Sequence, residues 1–84
     1  MTVEIYTQPW CPYCERALAL LDQKGVAYKE ISAAQGTPAR REAMQRSGSS
    51  TVPQIFIGDR HVGGCDDLVA LDRSGRLDGM LTAA

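Results

Sequence analysis

Between Val3 and Ile31 the chain offers a strand, a helix and a second strand in about 30 residues, the length of a minimal βαβ unit. VEIYT at 3–7 is short, rich in β-formers and runs into a loop at Gln8-Pro9. Pro12 suits a first helical position, where its missing N–H costs nothing. Ala17, Leu18, Leu20 and Leu21 then draw an apolar stripe that stops at Lys24-Gly25. VAYKEI at 26–31 is the second strand. So short a unit implies parallel strands joined by a right-handed crossover.

The rest of the chain extends this unit. Thr37 reads as an N-cap, Pro38 as a first helical residue and Gly48 as a stop, which predicts a second helix over about 38–47. QIFI at 54–57 and RHV at 60–62 flank Gly58-Asp59, a pair favoured in tight hairpin turns, so the last two strands are antiparallel and the sheet is mixed. GGCDDLVALDRSG opens a third helix with Asp66 and Asp67 in its first turn and stops near Gly75. RLDGMLTAA adds one helical turn and a frayed tail. The order is βαβαββα: an α/β domain with a four-stranded mixed sheet flanked by three helices. At 84 residues, 44% of them hydrophobic, residues 1–84 are expected to form a single domain around one modest core.

Charge and cysteine usage narrow the function. The net charge is −1 with scattered basic residues, which leaves no electrostatic footprint for nucleic acid or an anionic membrane. No apolar run approaches the roughly 20 residues needed to span a bilayer, and MTVEIY lacks the features of a secretory signal, so a cytoplasmic location is expected. Three cysteines, two of them in a tight pair, do not make the disulfide framework of a small secreted domain. Metal binding or transient redox chemistry remains.

The pair is Cys11 and Cys14, in CPYC. A cysteine just before a helix points its sulfur at unpaired N–H groups and the positive end of the dipole, which favour the thiolate. Cys11 is therefore read as the exposed, low-pKa nucleophile and Cys14, one turn inside, as the partner that closes a disulfide onto it. Lowering a thiol pKa from about 8.5 to about 5.5 raises the thiolate fraction at pH 7 roughly thirtyfold, but costs roughly 15- to 30-fold in intrinsic nucleophilicity. The surviving gain is that such a Cys11 leaves quickly when a second thiol attacks its mixed disulfide. Zinc is the competing use, since Cys11, Cys14, His61 and Cys65 supply three thiols and an imidazole. Against it, Pro12-Tyr13 starts a helix and does not make a flexible knuckle, and the 46 residues between Cys14 and His61 hold enough apolar periodicity to build a core without metal.

CPYC at 11–14, TVPQIF at 51–56 and GGCDDL at 63–68, in that order and spacing, resemble the glutaredoxins, most of all their small bacterial dithiol type. The resemblance runs from Val3 to about Leu81 and implies a thioredoxin-like fold. It also implies that Pro53 follows a cis bond and faces the cysteines, a conformation found in only about 5–6% of X-Pro bonds. The backbone of Val52 would then pair, strand-like, with the cysteinyl part of glutathione, and Thr51 would line the groove beside it. Read without the family, Pro53 is a strand-initiating proline. The backbone N–H groups of Cys65 and Asp66, beside Gly64, would hold the γ-glutamyl carboxylate at a helix start, and Asp67 the amino group. An ordinary helix start with acidic capping residues is the plainer reading. Tyr13 would flank the thiolate. Arg40 would reach the glycyl carboxylate, although adjacent Arg40 and Arg41 equally fit a solvated helix face. Cys65 reads as a packed or ligand-adjacent thiol and His61 as a surface residue with no evident partner that would make it a base. Trp10 either shields the loop before Cys11 or contacts protein substrates. Gln8 stands where many relatives carry a lysine, which removes a charge that would stabilise the thiolate and hold glutathione.

By this resemblance the chain is expected to be a glutathione-dependent thiol–disulfide oxidoreductase. It would need no bound metal or flavin and would use glutathione as reducing co-substrate. Glutathionylated proteins and the disulfide of a ribonucleotide reductase are the expected partners, and a monomer the expected state. The rival readings are a redoxin reduced by thioredoxin reductase and an iron–sulfur carrier ligating its cluster through Cys11 and glutathione.

Overall fold

A computed structural model describes residues 2–83. The elements run β1 (Val3–Thr7), α1 (Pro12–Gln23), β2 (Lys29–Ser32), α2 (Pro38–Ser47), β3 (Gln54–Ile57), β4 (Arg60–Gly63), α3 (Cys65–Arg73) and α4 (Leu77–Ala83). The sheet order is β2-β1-β3-β4, with β1 and β2 parallel and the other two pairings antiparallel. This is the mixed four-stranded sheet of the thioredoxin-like fold.

Period-2 alternation divides the strands between two faces. Val3 and Ile5 of β1 and Ile55 and Ile57 of β3 join Ala17 and Leu21 of α1, Leu68 of α3, and Leu77 and Leu81 of α4 in one buried cluster. Tyr6 and Phe56 point the other way, onto Ala43 of α2. Because both faces are covered, QIFI is buried along its whole length. On the α2 side the packing is completed by polar groups. The Tyr6 hydroxyl donates to Glu42 Oε1 and accepts from Arg46 Nη1 at 2.9 Å, and the Arg46 guanidinium lies 3.9 Å from the Phe56 ring centroid. Burial, then the bond to Glu42, pushes the Tyr6 hydroxyl pKa up.

Two elements differ from the sequence expectation. β2 begins at Lys29 and not at Val26: its register pairs Lys29 with Glu4, so Val26 and Ala27 fall beyond Val3, where β1 starts, and have no strand residue to pair with. The C-terminal segment is a fourth helix and more than one turn, because Leu77 and Leu81, four residues apart, both reach the core. Lys24 at the end of α1 ties it in place, bridging Asp72 at 2.5 Å and Asp78 at 2.8 Å. The β3–β4 hairpin turns at Gly58-Asp59 as its sequence suggests. Its register shifts by one residue between the Ile55–Gly63 and Phe56–His61 pairs, which leaves Val62 as a bulge.

Candidate active site

The apolar stripe of α1 fixes that helix against the sheet, and its N-terminus is thereby presented at the end of β1. Cys11 is the N-cap, in extended backbone, and Pro12 opens the first turn. The Cys14 N–H donates to Cys11 Sγ at 3.1 Å, so the sulfur occupies the place a serine or aspartate oxygen takes in an ordinary cap. Cys11 and Cys14 are joined as a disulfide with their Cα atoms 5.2 Å apart. Sequence reading made Cys11 exposed; in the disulfide it is only 8% exposed, against 2% for Cys14. The order of accessibility is as expected, but neither cysteine is freely exposed.

Facing this helix end is the loop before β3. The Val52-Pro53 bond is cis, as the resemblance implied. The Val52 carbonyl approaches Cys11 Sγ to 4.0 Å. From there a groove of ≈ 400 Å³ runs along the loop to the start of α3, lined among others by Tyr13, Thr51, Val52, Pro53, Gly64, Cys65, Asp66 and Asp67. Residues from three separated motifs therefore share one cleft. A Cβ added to Gly64 would lie 3.5 Å from the Pro53 carbonyl, a measure of how closely the α3 start approaches the loop. Gly63, with φ of 117°, is the glycine the site depends on, since a side chain there would be strained and would meet the Asp67 carboxylate. Asp67 Oδ2 accepts the Gly64 N–H at 2.9 Å, so the capping role and a place in the groove fall to the same side chain.

Cys65 opens α3, lines the groove and also belongs to the core cluster, so packed and ligand-adjacent both describe it. Burial, and after it the Asp66 carboxylate, push its thiol pKa up, while Arg16 opposes them.

Arg40 alone among the expected glutathione contacts lies outside the groove lining. It is neither solvated nor directed at the cleft. Only 5% exposed, its Nη1 donates to Gln8 Oε1 at 2.8 Å and to the Ala33 carbonyl at 2.9 Å, and its Nη2 to the Ser50 carbonyl at 2.9 Å. It is a strut joining three loops. Gln8, read from sequence as a missing charge, is instead one of three acceptors for this guanidinium, whose buried Nε has no partner.

Sequence reasoning missed Gln54 and His61. Both line the groove, and His61, a surface residue as expected, also has neighbours: its Nε2 lies 2.7 Å from Gln54 Oε1, and its ring sits 4.9 Å from Phe56. Gln54 Nε2 in turn donates to the Thr51 carbonyl at 3.0 Å. Because that nitrogen donates, Oε1 accepts and His61 Nε2 carries the proton. The one available signal was alternation: Gln54 and Phe56 point to the same face of β3, opposite His61. As for the zinc reading, among the described residues no three His, Cys, Asp or Glu side chains converge to hold a metal ion. Nor is any helix of the described chain long and apolar enough to cross a membrane.

A vicinal dithiol at a helix N-terminus, facing a cis-proline loop on a thioredoxin-like sheet, defines a thiol–disulfide oxidoreductase. Comparison narrows the class. The glutaredoxin family model matches residues 3–62. The chain is 56% identical over 81 residues to a glutaredoxin of Pseudomonas aeruginosa, covering 96% of each chain, and 56% identical over 79 residues to glutaredoxin 3 of Escherichia coli, covering 94% of this chain and 95% of that one. Among solved structures it resembles the glutaredoxin of Brucella melitensis, with a TM-score of 0.83, 57% identity and coverage of 96% and 88%. It also resembles the complex of buckwheat glutaredoxin with glutathione, with a TM-score of 0.87, 36% identity and coverage of 96% and 76%. The chain belongs to the glutaredoxin family, and it is a glutathione-dependent thiol–disulfide oxidoreductase.

Proposed function

We propose that the chain acts as one glutaredoxin domain that removes glutathione from glutathionylated proteins and reduces protein disulfides, a ribonucleotide reductase among them, as a cytoplasmic monomer. The observation that carries this reading is the position of Cys11 Sγ, at once the N-cap atom of α1 and the neighbour of the Val52 carbonyl at the groove mouth. In the reduced protein the Cys14 N–H and the helix dipole favour the Cys11 thiolate. That thiolate attacks the glutathione sulfur of a mixed disulfide, the substrate leaves as a thiolate, and a second glutathione releases the first from Cys11. With a protein disulfide, Cys14 attacks Cys11 in the mixed disulfide, and the resulting Cys11–Cys14 disulfide is reduced by two glutathiones.

In this reading glutathione lies along the groove. The Thr51–Val52 backbone pairs with its cysteinyl unit, the N–H groups of Cys65 and Asp66 beside Gly64 take the γ-glutamyl carboxylate, and Asp67 takes the amino group. Pro53 and Tyr13 flank the reacting sulfur. The fold shared with the buckwheat protein, solved with glutathione bound, supports the placement. Arg40 takes no direct part, since its guanidinium is committed to Gln8, Ala33 and Ser50. The test is glutathione-coupled reduction by three proteins. Cys11→Ser is expected to be inactive on every substrate, whereas Cys14→Ser keeps activity on a small glutathione mixed disulfide and loses it on protein disulfides. Wild-type inactivity with glutathione would sink the reading.

A further inference from the structure

Trp10, next to Cys11, is 96% exposed. Large aromatic side chains are ordinarily well buried, and those left in water tend to belong to interaction sites. This indole does not shield the loop: it belongs to neither buried cluster and does not line the groove. Its backbone adds a second, independent observation. With φ of 58°, Trp10 is the one non-glycine residue in the left-handed region among the described residues. A bulky side chain is disfavoured there, and such conformations concentrate at functional sites. The chain thus accepts an unfavourable backbone that leaves a large apolar surface open beside its reacting sulfur.

What meets that surface follows from the chemistry. The groove accommodates glutathione, and Trp10 is not part of it. When the Cys11 thiolate attacks the glutathione sulfur, the bond to the substrate sulfur breaks and the substrate cysteine departs as a thiolate that is protonated from solvent. Attacking, central and leaving sulfurs lie close to one line in such a displacement, so the departing polypeptide lies outside the groove. Consecutive Cα atoms are about 3.8 Å apart in both chains, so with the substrate cysteine opposite Cys11, the residue beside it comes opposite Trp10. We infer that Trp10 is a specificity residue for polypeptide substrates, its indole packing on an apolar side chain next to the glutathionylated cysteine. This rests on the deglutathionylation reading above.

The experiment compares wild type, Trp10→Ala and Trp10→Phe on three substrates: a glutathionylated peptide with leucine beside the modified cysteine, the same peptide with serine there, and the mixed disulfide of glutathione with free cysteine. Trp10→Ala is expected to lose about tenfold in kcat/KM on the leucine peptide, through KM, as truncation of an interfacial aromatic anchor does. It should stay within about twofold of wild type on the other two substrates, and Trp10→Phe should recover most of the loss. Retained activity on the small disulfide shows that the variant is folded. Equal losses on all three substrates, or no loss on the leucine peptide, would overturn the inference while leaving deglutathionylation standing. A wild type inactive on all three would overturn both.

Discussion

Arg40 carries a permanent positive charge into a nearly closed site in which all its hydrogen-bond acceptors are neutral: an amide oxygen and two backbone carbonyls. Charge-assisted bonds offset the desolvation, and the Gln8 amide supplies the one side-chain acceptor among them. Substituting Gln8 by lysine would therefore not simply restore a charge near Cys11. It would remove an acceptor from a buried cation and set an ammonium against it, so Gln8→Lys is expected to lower stability by about 1–2 kcal/mol. A thermal melt of the oxidised protein checks this; a melt unchanged or raised would contradict it. Cys65 yields a second prediction, through linkage. Burial raises its pKa in the fold above that of the unfolded thiol. Below the unfolded pKa both states keep the proton and the contribution to stability is whole; as pH rises further the unfolded chain ionises first, and the contribution is lost through the folded pKa. Stability should fall on the alkaline side of the unfolded thiol's pKa, about 8.5, more gently in Cys65→Ala than in wild type, as read from urea melts at a series of pH values.

At the scale of elements, the hairpin and the helix after it act as one device. β4 ends at Gly63, whose left-handed backbone turns the chain directly into α3, and Asp67 folds back to cap that helix. Gly63→Ala would place a β-carbon in an unfavourable conformation and push the Asp67 carboxylate away. A loss of about 1–2 kcal/mol is expected, together with weaker glutathione binding because the groove loses its end wall. Isothermal titration with glutathione beside a thermal melt separates the two effects; full affinity would show that Asp67 is not displaced. Local signals such as Pro12, Pro38 and Gly48 were sufficient to place α1 and α2, because caps and stops are written within a few residues of where they act. β2 and α4 were less legible. The start of β2 is set by the length of β1, and the extent of α4 by whether Leu77 and Leu81 find a core, and neither is a local property.

For the whole molecule, two apolar clusters fill both faces of the sheet, so the fold is closed without a metal. Excess chelator is expected to leave the melting temperature unchanged, whereas a zinc-dependent fold would melt lower. The gathering of CPYC, TVP and GGCDD into one cleft was legible only through the glutaredoxin resemblance, since read alone Pro53 is a strand-initiating proline and Asp66-Asp67 an ordinary helix start. The engagement of Arg40 and of the Gln54–His61 pair was not, because both depend on which loops the finished fold brings alongside a helix or strand. The Arg40 arrangement also bears on how such a domain can be altered. One side chain fastens the segments at Gln8, Ala33 and Ser50, so none of them can be lengthened alone. An insertion in any of these loops would draw its anchor off the guanidinium and slacken the other two. Peptide grafts should instead be tolerated at the Gly58-Asp59 hairpin tip, which Arg40 does not touch.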